Sequence, residues 1–417
     1  MVTRKNGVDR QMKPIEGGVC APAGFSANGI HCGIRKNKQK KDLALIVCDK
    51  RAATACVYTT NLVKGAPILV TQKHVADGYA RAVIVNSGNA NTCNADGVEI
   101  AEKMCALVEK ECKIPVNDVV IASTGVIGQK LSVEPIAAGM PELAAGLGKA
   151  PENSRAAAEA IMTTDTVAKE LSYEFALGDI RCRIGAICKG VGMLCPNMAT
   201  MLMFITTDVN ITPEMLQKAL SADVRDSLNM VSVDRDTSTN DTLCIMASGL
   251  AGNAVIDRPD TDYKKFCHAL HAVTSQMCRK IAADGEGATK LIECNVVGAK
   301  SKQVARTVAK SVVCSNLLKA AIFGADANWG RVLCAIGYSG AKVDVGKIGV
   351  SFRSAAGKIE VCEDGMGIPF SEEAAKKILS EKEIEIRIEL HDGNYGATAW
   401  GCDLTYEYVH INGDYRS

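Results

Sequence analysis

Residues 383–390 read EIEIRIEL, and the reading of this stretch decides the fold class. Glu383, Glu385, Arg387 and Glu389 share one parity, and Ile384, Ile386, Ile388 and Leu390 share the other. Successive side chains of a strand point to opposite faces, so the segment predicts a strand with one solvated and one buried face. Elsewhere the period changes. Residues 81–86 (RAVIVN) and the apolar run 119–123 predict buried strands, and between them a helix is predicted from about Val98. There Ala101, Met104, Cys105 and Val108 recur near the 3.6-residue period. Thr212-Pro213-Glu214 predicts another helix start: a hydroxyl cap, proline in the first turn, and an acid near the positive end of the dipole. Strand and helix signals alternate along most of the chain, which predicts α/β layers with some antiparallel sheet. There is no internal repeat and no low-complexity linker.

With 417 residues, the chain is long enough for two or three domain-sized units. Its net charge of +1 and its 4% of aromatic residues argue against nucleic acid and against attraction to a membrane surface. The first eighteen residues, MVTRKNGVDRQMKPIEGG, lack the apolar core of a secretory signal. No apolar run approaches the roughly 20 residues that span a bilayer, so a cytoplasmic location is expected. The basic run 35–41 (RKNKQKK) is read as a solvated loop tip.

The 18 cysteines are scattered, without a C-x-x-C pair, and many close apolar runs, as Cys48 does in LALIVC and Cys334 in RVLC. They are read as small buried hydrophobes in a reducing compartment rather than as disulfides or a metal site. His268 and His271 share a helix face without a carboxylate nearby in sequence, so packing is expected of them and no metal. Gly190 and Gly192 make G-x-G, but Cys195 stands where a dinucleotide fingerprint needs its third glycine. Gly285, Gly287 and Lys290 lack phosphate-loop spacing. No G-x-S-x-G elbow is present either.

The stretch with chemical content is 189–202, KGVGMLCPNMATML. Two glycines and Pro196 make it turn-prone, and Thr200 opens an apolar strand running through Ile205. A hydroxyl placed after a strained peptide bond can attack that bond, and hydrolysis of the resulting ester frees a new N-terminus. The freed α-amine, with a pKa near ~7.7–8.0, is then a general base for the same hydroxyl. Read alone, Ala199-Thr200 is also an ordinary loop-to-strand junction. The stretch resembles the cleavage and nucleophile motif of the ornithine acetyltransferase family, the bifunctional glutamate N-acetyltransferases of arginine biosynthesis. NSGNAN (86–91), STGVIG (123–128), TTDT (163–166), DTSTND (236–241), ADGEGATK (283–290) and GADANWGR (324–331) resemble further motifs of that family, in its order.

The resemblance implies a layered α/β sandwich of sheets between helices, of the self-processing, N-terminal-nucleophile-like kind. It implies cleavage between Ala199 and Thr200 into chains 1–199 and 200–417, which stay associated and pair into a tetramer of two α and two β chains. It implies that Thr200 takes acetyl from N2-acetyl-L-ornithine and passes it to L-glutamate, with Thr124 and Gly125 as the oxyanion pair. Thr163, Lys189, Thr200, Glu286, Asn412 and Ser417 match its substrate-contacting positions. No cofactor and no metal are implied, and acetyl-CoA as a second acetyl donor stays open. NSGNAN and DTSTND are read as scaffold around the site. Two positions depart from the family's pattern: Arg235 where glycine is expected, and Ala327 where proline is expected. Both bear on loop geometry. A self-processing aminopeptidase or amidase, and a non-catalytic scaffold protein, are the competing readings.

Overall fold

The run LALIVC has no polar parity because both of its faces are covered. In strand Leu43–Tyr58, the residues Leu43, Leu45 and Val47 enter one apolar cluster, while Ala44, Ile46 and Cys48 enter another. The first cluster includes Ile100, Ala101, Met104, Cys105 and Val108 of helix Gly97–Cys112, and Ile136, Met140 and Leu143 of helix Glu134–Ala145. The second includes Ala157, Ala158 and Ala160 of helix Pro151–Ala160, whose small side chains let it lie close to the sheet. A slip of one residue would exchange the two faces, so burial on both sides fixes the register.

The structure is a computed structural model that describes residues 12–193 and 201–414. The chain divides into two compact units: Met1–Gly190 with Thr200–Val224 and Thr237–Met277, and Val191–Ala199 with Arg225–Asp236 and Cys278–Ser417. The first holds a nine-stranded sheet. Its order runs from Lys13–Ile15 through Lys169–Leu177, Ile180–Lys189, Leu202–Thr207, Thr242–Ala247, Leu43–Tyr58 and Tyr79–Asn89 to Val119–Val126, and Phe25–Ile30 pairs with Leu43–Tyr58. Two neighbouring pairs are parallel: Leu202–Thr207 with Thr242–Ala247, and Tyr79–Asn89 with Val119–Val126. The predicted strands at 81–86 and 119–123 and the helix after Val98 are these elements, each extended by a few residues. Residues 202–205 are in strand as expected, whereas Thr200 lies outside the described residues. The predicted helix start is also present, with the Thr212 hydroxyl accepting the Met215 N–H at 3.4 Å.

The second unit holds a mixed seven-stranded sheet centred on Glu383–Glu389, which pairs in parallel with Leu291–Ala299 and antiparallel with Gly349–Ser354. Ile384, Ile386, Ile388 and Leu390 are buried as their parity predicts. The opposite face carries charges: Glu293 and Glu383 pair with Arg279 of helix Thr261–Ala283, and Glu385 pairs with Arg353 of the neighbouring strand. Helix Lys302–Val313 covers the buried face through Ala305, Val308, Ala309, Val312 and Val313, and the Ser301 hydroxyl caps its start. Each unit is thus α/β with a mixed sheet. Among the described residues, no helix is long and apolar enough to cross a membrane.

Eleven of the 17 described cysteines are buried, Cys48 among them, in keeping with their reading as small hydrophobes, but Cys334 of RVLC is exposed, contrary to that reading. The reading of His271 needs correction. Its Nδ1 lies 2.7 Å from Asp223 Oδ1, and the Thr274 hydroxyl donates to Asp223 Oδ2 at 2.7 Å. The carboxylate is 48 residues away in sequence and arrives from the end of helix Pro213–Asp223.

Of the two departures, Ala327 is buried in the turn before helix Trp329–Gly337, its carbonyl accepting the Trp329 N–H. Arg235 is the consequential one. Its φ of 75° places it in the left-handed region, which a β-carbon disfavours by roughly 1–2 kcal/mol. Glycine has no such penalty there. Arg235→Gly is therefore expected to raise unfolding stability by about 1 kcal/mol, read as a shift of the denaturation midpoint at unchanged slope.

Candidate active site

Thr124 and Gly125 end strand Val119–Val126 beside a bulge in Tyr79–Asn89. Gly125 has φ 132°, and a β-carbon there would lie 2.3 Å from the Gly88 carbonyl carbon and 2.5 Å from the Asn89 nitrogen. Only glycine fits this approach. Thr124 is buried. Its peptide is held by a polar network: the Asn240 amide donates to the carbonyls of Ser123 at 3.0 Å and Ala90 at 2.6 Å, and accepts from Thr92 Oγ1 at 2.6 Å. The Ser123 hydroxyl donates to Asn86 Oδ1 at 2.5 Å, and Asn86 Nδ2 donates to the Asn89 carbonyl at 2.9 Å. NSGNAN and DTSTND are scaffold here in a specific sense, because their amides satisfy the buried carbonyls that flank Thr124.

Lys189 ends strand Ile180–Lys189 and is buried, its Nζ 3.4 Å from Thr124 Oγ1. A buried ammonium requires a counter-charge, and Asp165 of TTDT supplies one. Asp165 Oδ1 accepts from Lys169 Nζ at 2.7 Å and from the Gly190 N–H at 3.0 Å, and its Oδ2 accepts from the Thr163 N–H at 3.0 Å. Burial alone would raise the Asp165 carboxyl. The ammonium groups of Lys189 and Lys169, with the Thr163 N–H, outweigh it and hold the carboxyl down at about 2. Thr124 and Lys189 are thus in contact, and Asp165 ties Thr163 to Gly190, the residue after Lys189.

A second buried carboxyl stands where the described chain resumes. Asp241 Oδ1 accepts the Met201 N–H at 2.9 Å, and its Oδ2 has no hydrogen-bond partner among the described residues. Burial pushes this carboxyl well above the usual carboxylate range, against the Met201 N–H and the Lys189 charge.

In the second unit, Asn412 Nδ2 donates to Glu286 Oε2 at 2.9 Å, and the Glu286 N–H donates to the Val191 carbonyl at 2.8 Å. A β-carbon on Gly192 would lie 2.2 Å from Glu286 Oε2, so this glycine makes room for the carboxylate. Gly190 thus serves Asp165 in the first unit and Gly192 serves Glu286 in the second, and neither belongs to a phosphate loop. Ala199, Thr200 and Ser417 lie outside the described residues. Sequence reasoning missed Lys169, and it quoted Asn240 and Asp241 only as parts of DTSTND, read as scaffold. It quoted Asp165 only as part of TTDT, since nothing local in sequence distinguishes a buried carboxylate from a turn residue.

The ArgJ family model matches residues 26–417. This chain belongs to the ArgJ family. It is 50% identical over 394 residues to the arginine biosynthesis bifunctional protein ArgJ 1 of Clostridium acetobutylicum, covering 94% of this chain and 96% of that protein. It is 46% identical over 407 residues to the arginine biosynthesis bifunctional protein ArgJ of Caldanaerobacter subterraneus subsp. tengcongensis, covering 97% and 100%. A crystal structure of arginine biosynthesis bifunctional protein ArgJ from Bacillus halodurans is 47% identical, covers 50% of this chain and 97% of its own, and has a TM-score of 0.48.

For this ArgJ-family chain the buried charge at Asp165 has a pH consequence. Its folded-state pKa lies below the unfolded value of about 3.9, so its contribution to stability is present above pH ~4 and is lost as pH falls towards 2. Asp165→Asn should reduce stability at neutral pH and flatten its decline between about pH 4 and 2. Urea titrations of both proteins across that range check this.

Proposed function

We propose that this chain transfers acetyl from N2-acetyl-L-ornithine to L-glutamate through an acetyl ester on Thr200, after cleaving itself between Ala199 and Thr200. The observation that carries the reading is the pairing of buried Lys189 with buried Thr124, next to a glycine whose backbone no other residue could adopt. Family membership over nearly the whole chain, among relatives named for arginine biosynthesis, supplies the reaction class.

In the first half-reaction the Thr200 hydroxyl attacks the acetyl carbonyl. The Thr124 hydroxyl and the Gly125 N–H stabilise the oxyanion, and collapse breaks the amide C–N bond. The hydroxyl proton passes by way of the freed Thr200 α-amine to the departing ornithine amine. In the second, the glutamate amine attacks the ester, the C–O bond breaks and Thr200 recovers its proton. Lys189 is assigned to a substrate carboxylate and Glu286 to the ornithine ammonium, as their charges suit. Asn412 orients Glu286, and Thr163 and Ser417 are assigned as further substrate contacts.

The same ester could be loaded from acetyl-CoA, a reading that the word bifunctional in the relatives' names supports. The reaction as written needs no metal and no resident cofactor. A cytoplasmic location and an assembly of two 1–199 and two 200–417 chains complete the proposal.

Thr200→Ala is expected to abolish both cleavage and transfer. Cleaved wild-type protein given acetylornithine without glutamate should gain one acetyl group on the 200–417 chain, read by rapid-quench mass spectrometry and discharged on adding glutamate. An intact but fully active chain, or kinetics that require both substrates bound together with no acetyl-enzyme, overturns the mechanism. Thr124→Ala should still cleave but lower kcat by about 10²–10³, the effect typical of a lost oxyanion donor.

A further inference from the structure

The second unit contains a cavity of about 580 Å³, within the range of small-molecule sites, whose wall is unusually cationic for a chain of net charge +1. Arg225 and Arg235 line it from the segment 225–236, and Arg306 and Lys310 from helix Lys302–Val313, with the hydroxyls of Thr307 and Ser311 between them. The acid at its edge is already engaged: Asp226 takes both nitrogens of the Arg306 fork, at 2.9 and 2.6 Å, and Lys302 at 3.3 Å. The Lys310 ammonium is anchored in place by the carbonyls of Asn229 at 3.1 Å and Val231 at 2.6 Å. Arg225 and Arg235, in contrast, have no hydrogen-bond or ion-pair partner among the described residues.

The backbone supplies an independent observation. Arg235 stands in the left-handed region, where a glycine would be unstrained, and its side chain faces this cavity. Strain held at a non-glycine residue is a mark of functional sites.

We propose that this cavity binds a phosphate-bearing anion, with Arg225 and Arg235 as its guanidinium ligands and Arg306 and Lys310 completing the positive wall. A guanidinium fork matches two oxygens of a phosphate, and the Thr307 hydroxyl adds a donor for another, whereas the Ser311 hydroxyl donates to the Ala335 carbonyl at 2.6 Å. A single carboxylate would occupy one of Arg225 and Arg235 and leave the other uncompensated, so the pair, backed by Arg306 and Lys310, fits a ligand with two or more negative charges. The same chemistry is offered by a free inorganic diphosphate and by the diphosphate of a nucleotide-type acyl carrier.

Calorimetric titration of the full chain, in phosphate-free buffer at fixed ionic strength, tests this with pyrophosphate, coenzyme A and citrate as probes. Saturable binding of pyrophosphate or coenzyme A is expected, weakened tenfold or more in Arg225→Ala and in Arg235→Gly. Tighter binding of pyrophosphate assigns the free anion, and tighter binding of coenzyme A assigns the carrier. The glycine variant removes the side chain while relieving the backbone, so its loss of binding should accompany an unfolding midpoint no lower than that of wild type. The proposal is overturned if neither phosphate probe binds saturably, if both variants bind as wild type does, or if citrate binds as tightly with the same dependence on the arginines. Binding is read without turnover, so the outcome is independent of the mechanism assigned to Thr200.

Discussion

A carboxylate removed from water must find counter-charge and donors inside the protein, and in the first unit Asp165 organises its surroundings by that demand. It is fully enclosed with Lys169, and the charge of Lys189 acts on it as well. Breaking a buried pair by removing one partner typically costs about 3–5 kcal/mol, because the remaining charge is left uncompensated. The Thr163 and Gly190 N–H groups complete its shell, so the end of the strand that bears Lys189 is tied to the loop that bears Thr163. The geometry at Thr124 inherits this rigidity through Lys189.

Precision on the other side of Thr124 comes from the backbone. Gly125 lies so close to Gly88 and Asn89 that the two segments move as one. Asn240, from a third segment, closes the arrangement by holding the carbonyls before Thr124 and at Ala90. Donors fixed in this way need little reorganisation when charge develops, which is the physical basis of oxyanion stabilisation.

What could be read from the sequence follows from how far each constraint reaches along the chain. Ile384 to Leu390 announce their strand because one-sided burial writes a period of two into adjacent residues. The Thr212 cap and the helix after Val98 are local in the same way. Thr124, Lys189, Thr163, Glu286 and Asn412 were legible only as parts of motifs that resemble a family, since each alone is an ordinary polar residue. Asp223 beside His271, Asp241 beside Met201 and Asn240 beside Ala90 were not legible, because the partners lie 40 to 150 residues apart and meet only in the folded chain. Arg235 was noticed as a departure, but its left-handed backbone belongs to the loop and not to the residue.

The ladder between Ile180–Lys189 and Leu202–Thr207 has a mechanical consequence. Six residue pairs, from Ile184 with Thr207 to Lys189 with Leu202, join the strands on either side of residues 199 and 200. Leu202–Thr207 is also hydrogen-bonded along its other edge to Thr242–Ala247. Cutting the peptide bond under the proposed processing would turn a hairpin into a contact between two polypeptides without removing one rung of the ladder. The fragments could part only by dismantling the centre of a buried sheet, so the nick would be chemically complete yet kinetically silent. Processing of this kind liberates an amine at the site and leaves the architecture that surrounds it undisturbed.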